Sequence, residues 1–343
     1  MNRIVIIGNG FDLAHGLKTS YMDFFEWFKS QIEKNLDEYL EPISLSKPNP
    51  NSGEICKASV YYKSKKFDEI IFDPKCKFTQ NHIFLKHLIN VLKINVLNLK
   101  NWVDIEEEYF KELNKLFQTY VDNEDENITP IIKLNQDFTH IEGYLKEYLC
   151  EKNEEKIPIK ENLKASITEP FNEKDKVFTS TELGKILLLS FNYTSYEKYY
   201  ETPLTQTIHI HGELKDEKNP IIFGYGNENK KIYKEIEEIN RNEFLINMKS
   251  FKYSNVSKYN DLMLFVKSAK YQIYIWGHSC GNSDGTLLKE LFENENCVSI
   301  KPFYHKDNGS DNYSDIVMNI SRHFLDNTTF RAKIVNKELC EEL

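Results

Sequence analysis

The sequence predicts an α/β fold built on a mostly parallel β-sheet and carrying a large, mainly helical insertion. Two observations lead to this prediction. Short apolar runs typical of buried strands occur at the start of the chain and again in its second half, where helical segments alternate with them. The stretch between these two regions has instead the apolar periodicity of long amphipathic helices.

The first predicted strand is the apolar run at residues 4–7, which ends abruptly at Gly8, Asn9 and Gly10. Glycines directly after a strand let the backbone approach a ligand closely, and the following helix points its N-terminal N–H groups at an anion. This arrangement predicts a nucleotide site. The dinucleotide-binding fingerprint is incomplete, because Leu13 is not a glycine, and a tight strand-to-helix turn without a ligand is the alternative.

An aromatic stripe follows this turn and is typical of a helix that packs into a core. Its members are Tyr21, Phe24, Phe25 and Phe28. We expect the first strand, turn and helix at residues 1–33 to form one discontinuous nucleotide-binding domain with residues 181–343. The intervening residues 34–180 would be the insertion.

Within the insertion, residues 41–80 have an irregular composition, rich in Pro, Ser, Asn and Lys. Apolar periodicity predicts long amphipathic helices over residues 82–121 and a further helix over residues 129–149. At residues 101–108, Asp104 and Glu107 have the spacing of a capping box. We interpret this segment as a solvent-exposed helix start, although its carboxylates could also reach a cleft.

In the second half, strand patterns occur at residues 185–191, 207–211, 221–223 and 271–276. Three of them lead into polar residues, which are Asn192, His211 and the segment Gly277-His278-Ser279. The carboxyl ends of parallel strands meet at one edge of a sheet, where such folds bind ligands. A Rossmann-like sheet would therefore gather these residues beside Gly8 and Gly10.

Composition narrows the classes of function. The 343 residues carry a net charge of −9, with a pI near 5.6, so a nucleic-acid interface is not expected. No apolar run predicts a membrane span and the N-terminus lacks a signal-peptide pattern, so we expect a cytoplasmic protein. None of the six cysteines forms a CxxC pair, and we predict no metal.

His211 and Asn192 are the candidate catalytic residues. A neutral imidazole suits general-base work near pH 7, and an amide can bind a ribose hydroxyl or a water. His209 shares a face with His211 in an alternating strand, but only His211 lies at the strand end beside a glycine. The alternatives are a structural histidine, and an Asx-turn or helix cap at Asn192.

A second pattern, GxSxG at residues 277–281, formally matches the nucleophile elbow of serine hydrolases. Asp284 or Asp311, with His305 or His323, would have to complete a triad. Only 62 residues follow Gly281, which is short for the rest of that fold. The other interpretation is that Gly277 and Ser279 contact a nucleotide while residues 282–284 cap the next helix.

Taken together, these motifs resemble the AbiH family of bacterial phage abortive-infection proteins. The resemblance is carried by residues 6–21, 102–106, 190–194 and 210–212, and by Gly277-His278-Ser279 with Ser283-Asp284. It implies a role in defence against phage.

The same segments are similar, more distantly, to the sirtuin-like NAD-binding fold. Gly8, Gly10 and Gly16 have the spacing of its glycine loop, and Asn192 and His211 match its Asn and His-Gly motifs. The resemblance implies that His211 is the general base and that Asn192 positions water or the ribose. Thr194 replaces an aspartate that often follows the Asn motif, and no CxxC pair follows His211, so lysine deacylation is not implied.

Related defence proteins with such a pocket usually hydrolyse NAD, which the resemblance implies here. The expected cofactor contacts are Gly8, Asn9, Gly10, Phe11, Asp12, Gly277 and Ser279, with His211 and Asn192 as catalytic residues. Alternatives are a nucleotide-binding sensor or toxin without NAD turnover, and the GxSxG hydrolase. A phage-derived activator and a homo-oligomer are expected partners.

Overall fold

The computed structural model describes residues 1–45, 54–79, 82–94, 102–122, 127–152, 158–176, 182–228, 231–307 and 309–343. The chain folds into two compact units. The first unit comprises Met1–Ser20, Asn101–Glu107 and Leu149–Leu343, and the second comprises Tyr21–Lys100 and Glu108–Tyr148. The predicted boundary at residues 180 and 181 lies outside the described residues, so the proposed domain limits stay a prediction.

Nine strands occur in the described part of the chain. They are β1 (Asn2–Ile7), β2 (Ile43–Leu45), β3 (Glu54–Cys56), β4 (Ile186–Ser190), β5 (Thr205–His209), β6 (Tyr271–Trp276), β7 (Cys297–Phe303), β8 (Lys306–Asp307) and β9 (Ser310–Asp311). Five of them form the main sheet of the first unit in the order β5-β4-β1-β6-β7, with every neighbouring pair parallel. The predicted α/β class and mostly parallel sheet are thus confirmed.

The order of the main sheet is that of a doubly wound fold. Counted along the chain within this sheet, the strands lie in the spatial order 3-2-1-4-5, which is the Rossmann arrangement. The chain leaves β1 toward one side, builds β4 and β5, and then returns to build β6 and β7 on the other side. The order therefore reverses between β1 and β6, and ligands of such folds bind outside the carboxyl ends of the strands at this point.

The α-helices differ widely in length. They are α1 (Asn9–Ala14), α2 (Tyr21–Lys34), α3 (Leu36–Tyr39), α4 (Ala58–Tyr61), α5 (Phe67–Ile71), α6 (Ile83–Ile94), α7 (Trp102–Asp122), α8 (Thr129–Lys152), α9 (Glu161–Ile167), α10 (Lys231–Glu238), α11 (Lys249–Tyr253), α12 (Lys258–Ser268), α13 (Gly285–Glu293), α14 (Tyr313–Ser321) and α15 (Asn327–Lys333). No helix of the described residues is both long and apolar enough to cross a membrane.

Both faces of the main sheet are covered. Successive side chains of a strand point to opposite faces, so Ile4 and Ile6 of β1 pack into one apolar cluster and Val5 and Ile7 into another. The first cluster contains residues of α12, α13 and α14, and the second contains residues of α1 and α9. A sheet buried on both faces explains why β1 and β4 read as continuous apolar runs in the sequence.

The second unit is mainly helical, and aromatic side chains fill its core. The predicted stripe on α2 is confirmed, because Tyr21, Phe24, Phe25 and Phe28 are all buried. The predicted helices over residues 82–121 and 129–149 correspond to α6, α7 and α8, with residues 95–101 outside the described part of the chain. The Tyr109 and Phe138 rings lie 4.1 Å apart between centroids and join α7 to α8.

Two strand predictions were wrong in detail. The run Ile221-Ile222-Phe223 is buried but forms no strand, because its backbone pairs irregularly: Ile222 N–H donates to His211 O across 2.7 Å. The strand predicted to end at His211 ends at His209, and Gly212 follows with a positive φ of 81°. His211 therefore lies in a turn, and the period-two argument that paired it with His209 does not apply.

Candidate functional site

The predicted polar residues meet in one cleft of the first unit, at the carboxyl edge of the main sheet. The cleft contains about 640 Å³ of empty space, including the part open to solvent. The predicted site residues that line it are Gly8, Asn9, Gly10, Asp12, Asn192, His211, Gly277 and Ser279. Each follows the end of β1, β4, β5 or β6, so the sheet order itself brings them together.

Phe11 is the exception among the predicted site residues. Its side chain is fully buried in the core, where its ring stacks on Trp276 with centroids 6.0 Å apart. The Phe11 side chain does not line the cleft, because α1 begins at Asn9 and turns position 11 toward the sheet, and the expected ligand contact of Phe11 stays a prediction.

The glycines are required by a close contact between the turns after β1 and β6. Gly10 N–H donates to Gly277 O across 2.8 Å, and Phe11 N–H donates to Gly8 O across 2.9 Å. A Cβ atom at Gly277 would lie 2.0 Å from Phe11 N, and one at Gly8 would lie 2.5 Å from the His278 Cα. These N–H groups already have partners in the protein, so packing of the two turns accounts for the glycines without a ligand.

Asn9 lines the cleft and carries a donor without a partner in the described part of the chain. Thr19 Oγ1 donates to Asn9 Oδ1 across 2.7 Å and thereby fixes the orientation of the amide. The Asn9 Nδ2 group is buried and has no hydrogen-bond partner among the described residues. A buried donor without a partner costs free energy, so this group suits a ligand acceptor such as a phosphate or hydroxyl oxygen.

Asn192 is held against the turn after β1. Its Nδ2 group donates to Gly8 O and to Asp12 Oδ1, both across 3.1 Å, while Thr194 Oγ1 donates to Asp12 Oδ2 across 2.6 Å. Burial raises the pKa of Asp12 to about 7, although the hydrogen bonds from Thr194 and Asn192 oppose this shift. Thr194 thus donates its hydrogen bond to a carboxylate that lies far from it along the chain.

The imidazole of His211 is bound on one nitrogen. Its Nε2 lies 3.2 Å from Asp284 Oδ1 and 3.1 Å from the Tyr253 hydroxyl, whereas Nδ1 bonds to no described residue. Burial, together with the positive charge of Lys249, lowers the pKa of His211 to about 4, and Asp284 acts in the opposite direction. The imidazole is therefore neutral at pH 7, and a proton on Nε2 leaves the Nδ1 lone pair free to accept another.

A buried ionic cluster lies behind His211. Lys249 Nζ is 2.7 Å from Asp284 Oδ1 and 2.8 Å from Glu106 Oε2, and all three residues are at most 4% exposed. Burial raises the pKa of Glu106 to about 7. Although burial works against it, Lys249 and His211 hold the pKa of Asp284 well below its usual range, so this carboxylate stays charged beside the imidazole.

Two sequence interpretations fail at this cluster. Asp284 precedes α13, but its side chain does not cap the helix and binds Lys249 and His211 instead. Glu106 was interpreted as part of a solvent-exposed helix start, yet it is buried and also accepts a hydrogen bond from Gly224 N–H. The side chain of Asp104 lies outside the described part.

His209 belongs to a separate contact. Its Nε2 lies 2.9 Å from Glu197 Oε1, and its Nδ1 lies 3.3 Å from Asn192 O. Although burial opposes it, Glu197 raises the pKa of His209. His209 thus has a charged partner and does not line the cleft, in contrast to His211 two residues later.

Ser279 lines the cleft without the contacts of a nucleophile. No histidine nitrogen of the described residues hydrogen-bonds to its Oγ, and His323 Nε2 bonds to Cys280 O across 2.9 Å. Positive φ values occur at Gly277 and Cys280, not at the serine. Asp284, the acid nearest along the chain, is already bound to Lys249 and His211.

A comparison with known protein families identifies the family of the chain. The model of the family described as bacteriophage abortive infection AbiH matches residues 4–305. The chain belongs to the AbiH family. Membership implies a role in abortive infection, the defence in which a bacterium responds to a phage. No curated protein and no solved structure matches the chain significantly, so the sirtuin-like resemblance stays a prediction.

The sequence did not identify Lys249, Glu106 or Tyr253 as site residues. Lys249 and Tyr253 are the first and last residues of the short α11, whose sequence shows no motif. Glu106 is separated from Lys249 by 143 positions, so no local spacing connects the two. Asp284 and Glu106 did have a signal, because both lie in segments that carry the family resemblance.

Proposed function

We propose that this AbiH protein hydrolyses the N-glycosidic bond of NAD, releasing nicotinamide and ADP-ribose. One observation carries the proposal. A neutral histidine, oriented by a buried carboxylate, lines a cleft at the point where a Rossmann-ordered sheet reverses its strand order. Such sheets bind nucleotides there, and His211 is neutral at pH 7, as a general base must be.

The chemical step needs few groups. The bond between C1′ of the ribose and the nicotinamide nitrogen breaks, and nicotinamide leaves as a neutral molecule with the bonding electron pair. A water oxygen bonds to C1′ of the resulting oxocarbenium ion. His211 Nδ1 accepts the proton of that water, and the Asp284 carboxylate stabilises the imidazolium that forms.

The carboxylates at the cleft suit a cationic transition state. Asp12, Glu106 and Asp284 line it, and the Asp284 carboxylate, which stays charged, stabilises a positive charge that develops on the ribose. Carboxylate oxygens also accept hydrogen bonds from ribose hydroxyls. In the same proposal, Asn192 Oδ1 orients the ribose or water, Asn9 Nδ2 donates to a ligand oxygen, and Ser279 contacts the nucleotide.

A second candidate function is nucleotide binding without turnover, as a sensor or toxin. It is favoured by the absence of lysine and arginine among the described residues that line the cleft. The N–H groups of Gly10 and Phe11 are also already bonded within the protein. A pyrophosphate would thus find few donors, and a ligand bound mainly through its base or ribose is the alternative.

The serine-hydrolase alternative has the weakest support. Ser279 Oγ lacks a histidine partner among the described residues, and Asp284 bonds to His211, which is neither of the histidines considered for the triad, His305 and His323. Labelling of Ser279 by a fluorophosphonate probe would reverse this preference.

The test is incubation of the purified full chain with NAD, with nicotinamide release followed by chromatography and NAD affinity measured by calorimetry. We expect release of nicotinamide and ADP-ribose in equal amounts. Because we expect a phage-derived activator, the assay is repeated with lysate of phage-infected cells, in which catalytic-residue variants serve as background controls. Binding without release in both assays would favour the sensor, and no binding in either would contradict the NAD assignment.

A further inference from the structure

A cluster of possible metal ligands occurs in the second unit, outside the cleft. His82 directly precedes α6, and Asp137 and His140 lie on α8. One ligand atom from each of the three side chains lies within 4.8 Å of the others. Positions three apart on a helix share a face, so α8 presents the last two residues together.

Two members of this cluster are fixed before any ion binds. His82 and Asp137 are 6% and 1% exposed, and His82 Nδ1 lies 3.1 Å from Asp137 Oδ1. The other carboxylate oxygen, Asp137 Oδ2, accepts a hydrogen bond from Leu85 N–H across 2.7 Å. The carboxylate is therefore anchored to the first turn of α6.

His140 is different. It is exposed, and its ring forms no hydrogen bond with another described residue. Capping of α6 explains why Asp137 is buried beside His82. It does not explain why a ring nitrogen of His140 lies within 4.8 Å of these two side chains. The side chain of His140 adds a third possible ligand to the His82–Asp137 pair and thereby makes the cluster a candidate metal site.

We propose that His82, Asp137 and His140 bind a zinc ion. Two imidazoles and one carboxylate form a ligand set that zinc accepts, with bonds of about 2.0–2.2 Å in a tetrahedral arrangement. Such bonds separate neighbouring ligand atoms by about 3.3 Å. The His82–Asp137 pair already has this spacing, and rotation of the exposed His140 side chain closes the wider gap.

The ligand types favour zinc over the hard cations. Calcium and magnesium prefer oxygen ligands, whereas imidazole nitrogen suits zinc and its transition-metal neighbours. Three protein ligands leave a fourth position for water. The cluster lies in a different unit from the proposed NAD site, so the zinc proposal is independent of NAD hydrolysis.

The experiment uses the full chain, freed of metal with a chelator and kept reduced. Zinc binding is measured by calorimetry, and cobalt, as a spectroscopic substitute, reports tetrahedral coordination through its visible absorption. We expect one equivalent to bind. His140→Ala should weaken binding at least about 10-fold, which is the lower end of what even outer-shell changes cost. Because His140 is exposed, this variant should fold as the wild type does.

The matched control is His305→Ala, which removes another exposed histidine from the first unit and should bind zinc as the wild type does. Asp137→Asn tests the buried ligand, with circular dichroism showing whether α6 is preserved. The proposal is overturned if the wild type binds no zinc. It is also overturned if His140→Ala binds zinc as tightly as His305→Ala.

Discussion

At the scale of single residues, the environment of His211 decides what it can do. Burial removes its charge, and the neighbouring Lys249 cation disfavours protonation further. Asp284 partly restores basicity and fixes one ring nitrogen. The sequence alone predicts only that a histidine near a strand end titrates close to neutral pH, because neither Lys249 nor Asp284 is near it along the chain.

The first prediction concerns the protonation of His211. Its pKa, measured by NMR of the labelled imidazole, should lie well below 6.5 and near 4. In Asp284→Asn the pKa should fall further, because the carboxylate that favours the charged form is removed while Lys249 remains. A pKa of 6.5 or above in the wild type would contradict the assigned environment.

Asp12 gives a second prediction, on stability against pH. Its pKa is raised to about 7 when folded, so between about pH 4 and 7 the folded state holds a proton that the unfolded state has lost. Stability contributed by this group is present at low pH and is lost as pH rises toward 7. The slope is about 1.4 kcal/mol per pH unit for one group.

The Asp12→Asn variant has no titratable group at position 12. The free energy of unfolding of wild type minus that of Asp12→Asn should therefore fall between pH 5 and 7 and be level above pH 8, as measured by urea unfolding. Taking the difference cancels the contribution of Glu106, whose pKa is also raised to about 7. A difference that rises with pH would mean that Asp12 is charged and paired in the folded state.

At the scale of elements, the turns after β1 and β6 behave as one unit. Each depends on glycine because the other occupies the space of a side chain. Both turns lie where the sequence predicts them. The contact between them was not predicted, since a spacing motif carries no information about which distant backbone lies opposite.

Alanine substitutions at two glycines with positive φ separate the cost of backbone strain from the cost of steric overlap between the turns. Gly277 and Gly16 both have positive φ, 68° and 82°, but a Cβ at Gly16 meets nothing within 4 Å. Gly16→Ala should cost about 1–2 kcal/mol from backbone strain alone. Gly277→Ala should cost about 1–3 kcal/mol more, because its methyl group overlaps Phe11 N.

The measurement is urea unfolding of both variants, and failure of Gly277→Ala to fold would be the extreme form of the same result. Equal losses of stability at the two positions would show that contact between the turns is not what requires glycine at position 277.

Other elements show where periodicity is a sufficient guide. The buried runs at β1, β4 and β6 were predicted because a strand covered on both faces consists mainly of consecutive apolar residues. The run at residues 221–223 looks the same, yet no neighbouring strand pairs with it. A buried segment outside the sheet and a buried strand of the sheet have the same apolar composition, so the sequence does not distinguish them.

At the scale of the whole molecule, strand order determines which residues meet. Asn192, His211 and Ser279 were predicted to gather because each follows a strand, and the parallel sheet with its Rossmann order brings them to one cleft. Glu106 and Lys249 come from segments with no strand pattern, and only the tertiary fold brings them to Asp284. The zinc ligands His82 and Asp137 are likewise 55 positions apart.

In the proposed hydrolysis of NAD, His211 accepts a proton from the water that attacks C1′ of the ribose. The most direct test compares initial rates of nicotinamide release from NAD by His211→Gln and His209→Gln, with folding verified by circular dichroism. Both changes are identical and lie two residues apart, but only His211 lines the cleft. We predict that His211→Gln loses about 10²–10⁴ in rate, as is typical for removal of a general base. His209→Gln should retain most of the activity. A folded His211→Gln variant that releases nicotinamide at the wild-type rate would contradict the account.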